Sequence, residues 1–434
     1  MWPVTAVSLL DDLDARGLVH DSTDRDALAA RLAEGPIGIY YGCDPTADSL
    51  HVGNLIGLLV LRRFQDAGHR PVALAGGATG MVGDPSGRSE ERNLLDDATL
   101  SANVAAIKAQ IGRVLDFDAG GAVLVDNRDW TADVTLLDFL RDVGKHVTVN
   151  QMLARESVKA RLAGEHGISY TEFSYMLLQA HDYLHLHRKL GVELQIGGSD
   201  QWGNILSGVD LIRRAEGATV HALSWPLITA PDGSKLGKTA GARIWLDPDR
   251  TSPYQFFQHW MQTDDRQVRE YLAKFTLLEL DELEAVAAAH LAHPERRLGQ
   301  RRLAEEASRL VHGAEATATA AEATDVLFGG SPLAAGPEAL AVVAAEVPTA
   351  PLPPASELAT GVELESLLVE LHLASSKGDA RRALEQGAVS VNGDRVGPGA
   401  TVDVGSVLHG RYVLIRKGKR NYALLVASGG QAGG

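Results

Sequence analysis

The sequence predicts an α/β protein: a parallel-sheet domain first, an α-helical domain behind it, and a small α+β unit at the end. Three observations carry this. From Ile37 to about Pro226, short apolar strands alternate with helical segments, the pattern of βαβ units and a mainly parallel sheet. After Pro253 the pattern becomes helical, through residues 271–275, 277–291 and 301–312. Beyond a stretch rich in Pro, Ala and Ser, residues 361–428 combine two helical segments with two hairpin signals.

In order, residues 1–35 read as helical, with Leu9, Leu10, Leu13 and Leu18 on one side and acids between. Strands are expected at 37–40, 72–75, 123–125, 192–196 and 220–223. This is a Rossmann-like arrangement, in which ligands sit beyond the carboxyl ends of the strands at a switch point. The strand ends are suggestive: Gly42-Cys43-Asp44, Gly76-Gly77-Ala78-Thr79-Gly80, Asp126-Asn127, and Gly197-Gly198-Ser199-Asp200-Gln201. The expected domains are a Rossmann-like one over 1–230, with an inserted connective segment around 117–200, and an α-helical one over 231–330. A semi-rigid linker over 331–360, an α+β domain over 361–428 and a flexible tail over 429–434 follow. Within the α+β domain, Asn392-Gly393 marks one hairpin and Lys417-Gly418-Lys419 another, and Arg411, Arg416, Lys417, Lys419 and Arg420 cluster without an acid among them.

The 434 residues are 45% hydrophobic and 22% charged, enough for a sizeable core and more than one domain. A single cysteine, Cys43, excludes an intramolecular disulfide and a cysteine-built zinc site, and it suits a reducing cytosol. The N-terminus lacks the basic flank and apolar core of a signal peptide, and no apolar run approaches the roughly 20 residues of a membrane span. A cytoplasmic protein with no membrane partner is expected. The formal charge of −15 argues against coating nucleic acid non-specifically, though not against a local basic patch.

Four stretches carry candidate chemistry. The first runs from Ile37 to Gln65: a strand, a polar turn through Asp44, Thr46 and Ser49, then His51-Val52-Gly53-Asn54 at a helix start. This geometry presents backbone N–H groups and side-chain donors to a nucleotide phosphate, although a histidine there also serves as a plain cap. The second is Lys235-Leu236-Gly237-Lys238-Thr239, which alone reads as a solvated turn or as a loop that neutralises pyrophosphate. The third is the helix around Glu172–Tyr183. Tyr175, Gln179 and Asp182 fall within about a 60° sector of one face, while Phe173, Leu177, Ala180 and Leu184 share another. The polar row is either a structural network or the wall of a small-molecule pocket, because such groups in an apolar helix need partners. The fourth is Gly83-Asp84-Pro85-Ser86-Gly87, trailed by Arg88 and Arg92. His181, His185 and His187 lack the arrangement of a zinc site and read as surface or packing residues.

Taken together, these stretches resemble the bacterial tyrosyl-tRNA synthetases, class I aminoacyl-tRNA synthetases. YYGCDPTADSLHVGN, GGATGMVGDPSG, FLRDVGKHVTVNQM, EFSYMLLQAHDY, QIGGSDQWGNI and DGSKLGKT occur in family order, and the likeness runs from about residue 9 to 426. The resemblance implies a tyrosine–tRNA ligase that makes tyrosyl-adenylate and pyrophosphate from L-tyrosine and ATP. It then transfers tyrosine to the 3′-terminal ribose of tRNA(Tyr). His51 and Asn54 stand at the HIGH motif, and Lys235, Lys238 and Thr239 at KMSKS, with Thr46 as a phosphate contact. Tyr40 and Asp182 match the pair that holds the phenol hydroxyl; Tyr175, Gln179 and Asp84 match the groups around the α-ammonium, and Gln201 lies in the same pocket. Asp44, Gly53, Gly198 and Asp200, with Lys238, are expected at the ATP. Arg88, Arg92 and the basic cluster from Arg411 to Arg420 are expected at tRNA. The chain departs from the pattern at Asn54, which replaces the second histidine of HIGH, in KLGKT, at Arg88, where lysine is frequent, and at Tyr41, where a ribose-contacting cysteine is common. The resemblance also implies Mg²⁺ accompanying ATP, no permanently bound metal, and a homodimer with an interface near residues 136–149. A tryptophanyl enzyme has no need of the phenol-directed Tyr40 and Asp182. A catalytically idle RNA-binding relative leaves His51 and the lysines unexplained.

Overall fold

The computed structural model describes residues 8–84, 95–118, 121–164, 167–228 and 243–427. The chain divides into two compact units, Met1–Ser252 with His259–Val311, and Pro253–Gln258 with His312–Gly434.

The first unit is built on a six-stranded sheet of β1 (Asp21–Ser22), β2 (Gly38–Cys43), β3 (Arg70–Ala75), β4 (Val123–Asp126), β5 (Val192–Gly198) and β6 (His221–Trp225). Their order is β1-β6-β5-β2-β3-β4, all parallel except β1, which runs antiparallel to β6. The five strands read from the sequence are all present. β3 and β6 are buried almost throughout, as parallel strands covered on both faces require, which is why they read as unbroken apolar runs.

The helix Val52–Asp66 follows β2 and is buried around most of its circumference. The helices Tyr170–Leu190 and Trp202–Glu216 flank β5 in sequence. They come close enough that a Cβ on Gly208 would lie 2.8 Å from the Tyr183 ring. Tyr170–Leu190 is capped by Ser169 at its start and by the left-handed Gly191 at its end. Near its start the buried Glu172 pairs with Arg161 at 2.7 Å. Within the expected inserted segment, 117–200, β4 and β5 belong to the sheet and this helix packs on β5. Between them lie the short helices Arg128–Thr131, Leu136–Asp142, Val149–Leu153 and Glu156–Leu162.

The second unit carries β7 (Thr349–Pro351), β8 (Val362–Glu363), β9 (Val389–Val391), β10 (Asp394–Val396), β11 (Thr401–Val402), β12 (Tyr412–Lys417) and β13 (Asn421–Val426). β10-β9-β12-β13-β7 form one sheet, and β11 pairs with β8. The helices Leu364–Glu370 and Lys377–Glu385 supply Leu364, Leu367, Leu368 and Leu384 to a core shared with Val413 and Leu425. Asn392 (φ 49°) and Gly393 (φ 93°) make the tight turn expected of this dipeptide.

The stretch 331–360 corrects the expected linker. It holds the helix Pro337–Glu346 and the strand β7, which pairs parallel with β13. Its prolines are compatible with structure because Pro337 opens the helix, where no N–H is needed, and Pro351 closes a strand at the sheet edge. Lys417, read as part of an acid-free cluster, is ion-paired at 2.9 Å with Asp379 from the helix before it.

Candidate active site

A cavity of about 350 Å³ opens at the carboxyl ends of β2 and β5, the neighbouring strands between which the sheet order reverses. The strand ends supply its walls, and the polar faces of two helices complete them.

One end of the cavity is a closed polar network. Asp182 is almost fully buried, and its two carboxylate oxygens accept hydrogen bonds from Asn127 Nδ2 and Trp130 Nε1, both at 2.9 Å. Asn127 in turn donates to Thr79 Oγ1 at 3.0 Å and accepts from the Ala78 N–H at 2.7 Å. Thr79 donates to Asp44 Oδ1 at 2.7 Å, and the Tyr175 hydroxyl donates to Asp44 Oδ2 at 2.9 Å. Gln201 donates to Asp84 at 2.6 Å, and Asn204 donates to Gln179 at 3.0 Å. Burial pushes the Asp182 carboxyl up to about 7 against its Asn127 and Trp130 donors, with the charges of Asp44 and Asp126 adding to the rise. Burial foremost, then the charge of Asp182, pushes the Tyr40 phenol well up, so it stays a protonated donor. The glycine pair after β3 has a steric cause. A Cβ on Gly76 would lie 2.3 Å from Asp44 Oδ1, and one on Gly77 2.2 Å from Asp126 Oδ1.

The other end is a helix terminus. His51 is the N-cap of Val52–Asp66; its Nδ1 accepts the Gly53 N–H at 3.0 Å, and Asn54 Oδ1 accepts the His51 N–H at 3.1 Å. Because Nδ1 is an acceptor, the neutral ring carries its proton on Nε2. Burial, then the charge of Arg243, lowers the imidazole to about 4, so it is a neutral donor at physiological pH. Gly53 is required here, since a Cβ would lie 2.8 Å from the His51 ring. Trp245 bridges to the His51 backbone and places its ring 6.3 Å from the imidazole.

The structure gathers most of the residues singled out from the sequence. Tyr40, Asp44, Thr46, His51, Gly53, Asn54, Asp84, Tyr175, Gln179, Asp182, Gly198, Asp200 and Gln201 all line this one cavity. Asp44, expected at ATP, accepts hydrogen bonds from Thr79 and Tyr175. Tyr41 packs edge-on against Trp225 with ring centroids 5.5 Å apart. Its ring abuts Gly57, where any Cβ would clash. Lys235, Lys238 and Thr239, with Arg88 and Arg92, lie outside the described residues. His185 stacks on Trp130 at 4.5 Å, and His187 Nδ1 lies 2.8 Å from the Val192 carbonyl, so both are packing residues.

Sequence reasoning missed the roles of Thr79, Asn127 and Trp130, and it missed Arg243 and Trp245 altogether. A signal existed for the first two: Thr79 and Asn127 follow the ends of β3 and β4, which are neighbours in the sheet.

Residues 32–329 match the family described as tRNA synthetases class I (W and Y), and residues 341–425 match the Tyrosine--tRNA ligase SYY-like C-terminal domain. The chain is 51% identical to a tyrosine–tRNA ligase of Opitutus terrae over 96% of its own length and 99% of the relative's. It is also 51% identical to one of Mycobacterium bovis, over 96% and 98% respectively. Among solved structures, a C-terminally truncated mitochondrial tyrosyl-tRNA synthetase of Aspergillus nidulans superposes with a TM-score of 0.67 at 33% identity, covering 74% of this chain and 94% of that one. A cavity that pairs a buried carboxylate network with a helix N-terminus is thus found in a chain that belongs to the tyrosine–tRNA ligase family of class I tRNA synthetases.

Proposed function

We propose that this cavity is where the enzyme, a tyrosine–tRNA ligase, joins L-tyrosine to ATP. The single observation that supports this most is Asp182, buried in the cavity wall with both oxygens held by donors and Tyr40 nearby. A substrate hydroxyl adds a further hydrogen bond to the Asp182 carboxylate and accepts from Tyr40; an aromatic amino acid without one buries the Tyr40 hydroxyl with no such acceptor and gives Asp182 nothing in exchange for water. That asymmetry is known for this enzyme type to give about 10⁵ discrimination against phenylalanine without editing.

The α-ammonium belongs with Tyr175, Gln179 and Asp84, and the α-carboxylate then faces the helix start at His51. In the first step the carboxylate attacks the α-phosphate in line, forming the acyl–phosphate bond and breaking the bond to pyrophosphate. The residues present need only orient the reactants and stabilise charge: His51 Nε2–H is a donor for phosphate oxygens. Thr46 and Asn54 line the same end, and by their motif Lys235, Lys238 and Thr239 serve the leaving pyrophosphate. Mg²⁺ would accompany ATP and help neutralise its phosphates. In the second step a ribose hydroxyl of the tRNA terminus attacks the adenylate carbonyl and releases AMP. The second unit, with Arg411, Arg416, Lys419 and Arg420, serves tRNA binding.

A homodimer also fits. Leu136, Leu137 and Val149 are 71%, 77% and 60% exposed on the segment between β4 and β5, apolar area that a second copy would cover. A cytoplasmic place of work accords with the helices, none of which, among the described residues, is long and apolar enough to cross a membrane.

Amino-acid-dependent pyrophosphate exchange tests the reading. Tyrosine alone should support exchange; exchange with tryptophan but not tyrosine would overturn the substrate assignment.

A further inference from the structure

The cavity wall is electrostatically lopsided. Among its described residues stand four carboxylates, Asp44, Asp84, Asp182 and Asp200, and a single permanent cation, Arg243. Arg243 has no carboxylate partner among the described residues, and its guanidinium lies 5.0 Å above the centre of the Trp245 ring. Arg250 lies over the same ring at 4.7 Å but is ion-paired with Asp48 at 2.5 Å, so its charge is already answered. Trp245 is in turn fixed to His51 by a backbone bridge, and the charge of Arg243 reaches the His51 imidazole.

A guanidinium held on an aromatic face, beside a helix N-terminus and facing a cavity, is an anion site in waiting. The amino acid offers only its carboxylate, which must remain free to attack. The other anion that enters is the nucleotide's triphosphate. We propose that Arg243 is a phosphate-binding residue of this enzyme: seated on Trp245, it engages the β- and γ-phosphates of ATP and stays with the pyrophosphate as it leaves. The acquired contact is strongest when the leaving group carries its full charge, so Arg243 assists both adenylate formation and its reversal. This rests on the assignment of the His51 end of the cavity to ATP.

The test is steady-state pyrophosphate exchange and pyrophosphorolysis of tyrosyl-adenylate with Arg243→Ala, Arg243→Gln and Arg243→Lys, alongside tyrosine binding without ATP. The KM values for ATP and for pyrophosphate should rise about 10- to 100-fold in Arg243→Ala and Arg243→Gln. Arg243→Lys should recover part of the loss, and the tyrosine dissociation constant should stay within twofold of wild type. KM values for ATP and pyrophosphate that stay within twofold, in variants that melt like wild type, would refute the role. So would an equal shift in tyrosine affinity, which would mark a structural effect. Exchange left intact with slower tRNA charging would also refute it, placing the guanidinium at a tRNA phosphate instead. His51→Ala separates this inference from its premise. If that variant exchanges normally, the ATP assignment itself has failed; if it is inactive while Arg243→Ala is normal, only the role of Arg243 has failed.

Discussion

The two ends of the cavity solve opposite problems. At the Asp182 end most polar groups are already bonded to one another: Trp130 and Asn127 to Asp182, Thr79 and Tyr175 to Asp44, Gln201 to Asp84. At the His51 end, bonds within the chain fix the imidazole through Nδ1 and, among the described residues, leave Nε2–H and the guanidinium of Arg243 for a ligand. The difference teaches which end selects and which end accelerates. A saturated network is rigid and charges a full desolvation cost to a ligand that fails to match it. A sparse set of donors accommodates charge that moves during the reaction.

The largest expected effect breaks the selecting end. Asp182→Ala removes the acceptor of two buried donors, so tyrosine activation should fall about 10²–10⁴-fold in kcat/KM in a folded protein. Unchanged exchange kinetics would remove Asp182 from the site. His51→Ala should instead lower kcat for exchange by about 10²-fold, with tyrosine affinity preserved. A pure loss of tyrosine affinity would mean that the two ends have been assigned the wrong way round.

A subtler distinction comes from pH. Asp182 titrates near 7, so tyrosine affinity should improve as pH rises from 6 to 8 and the carboxylate forms, and Asp182→Asn should flatten this profile. His51, lowered to about 4, should add no step in that range. The signs for stability are opposite. The raised Asp182 holds a proton that the unfolded chain has released, so its contribution is lost as pH rises through 7. The lowered His51 and His181 contribute above about 6.5 and lose that contribution as pH falls toward 4. Urea midpoints between pH 5 and 8 in wild type and Asp182→Asn measure this.

The smallest effect sharpens the His51 end. Gly53→Ala places a Cβ where the imidazole lies and should cost about tenfold in kcat by displacing the ring. An active Gly53→Ala would show that the Nδ1 bond is dispensable.

Much of this was legible in the sequence, for identifiable reasons. The five parallel strands read clearly because each is a short apolar run, and four of them end in glycine or a polar turn. The helix row of Tyr175, Gln179 and Asp182 could be read from spacing alone. β1 could not, because two residues paired to β6 carry no pattern. Residues 331–360 misled because prolines at a helix start and at a strand end look the same in composition as prolines in a linker. The partners of Asp182 escaped because they lie 52 and 55 residues away, and that of Tyr175 lies 131 away. Such bonds follow from strand order, which neither periodicity nor motif spacing encodes. Arg243 escaped because its neighbour in space is Trp245, and a lone arginine beside a tryptophan resembles any surface pair.

The division between the ends is tested most directly by equilibrium tyrosine binding, without ATP, to wild type, Asp182→Ala and His51→Ala. Affinity should collapse in Asp182→Ala and remain within twofold of wild type in His51→Ala. Wild-type affinity in Asp182→Ala, or a matching collapse in both variants, would contradict it.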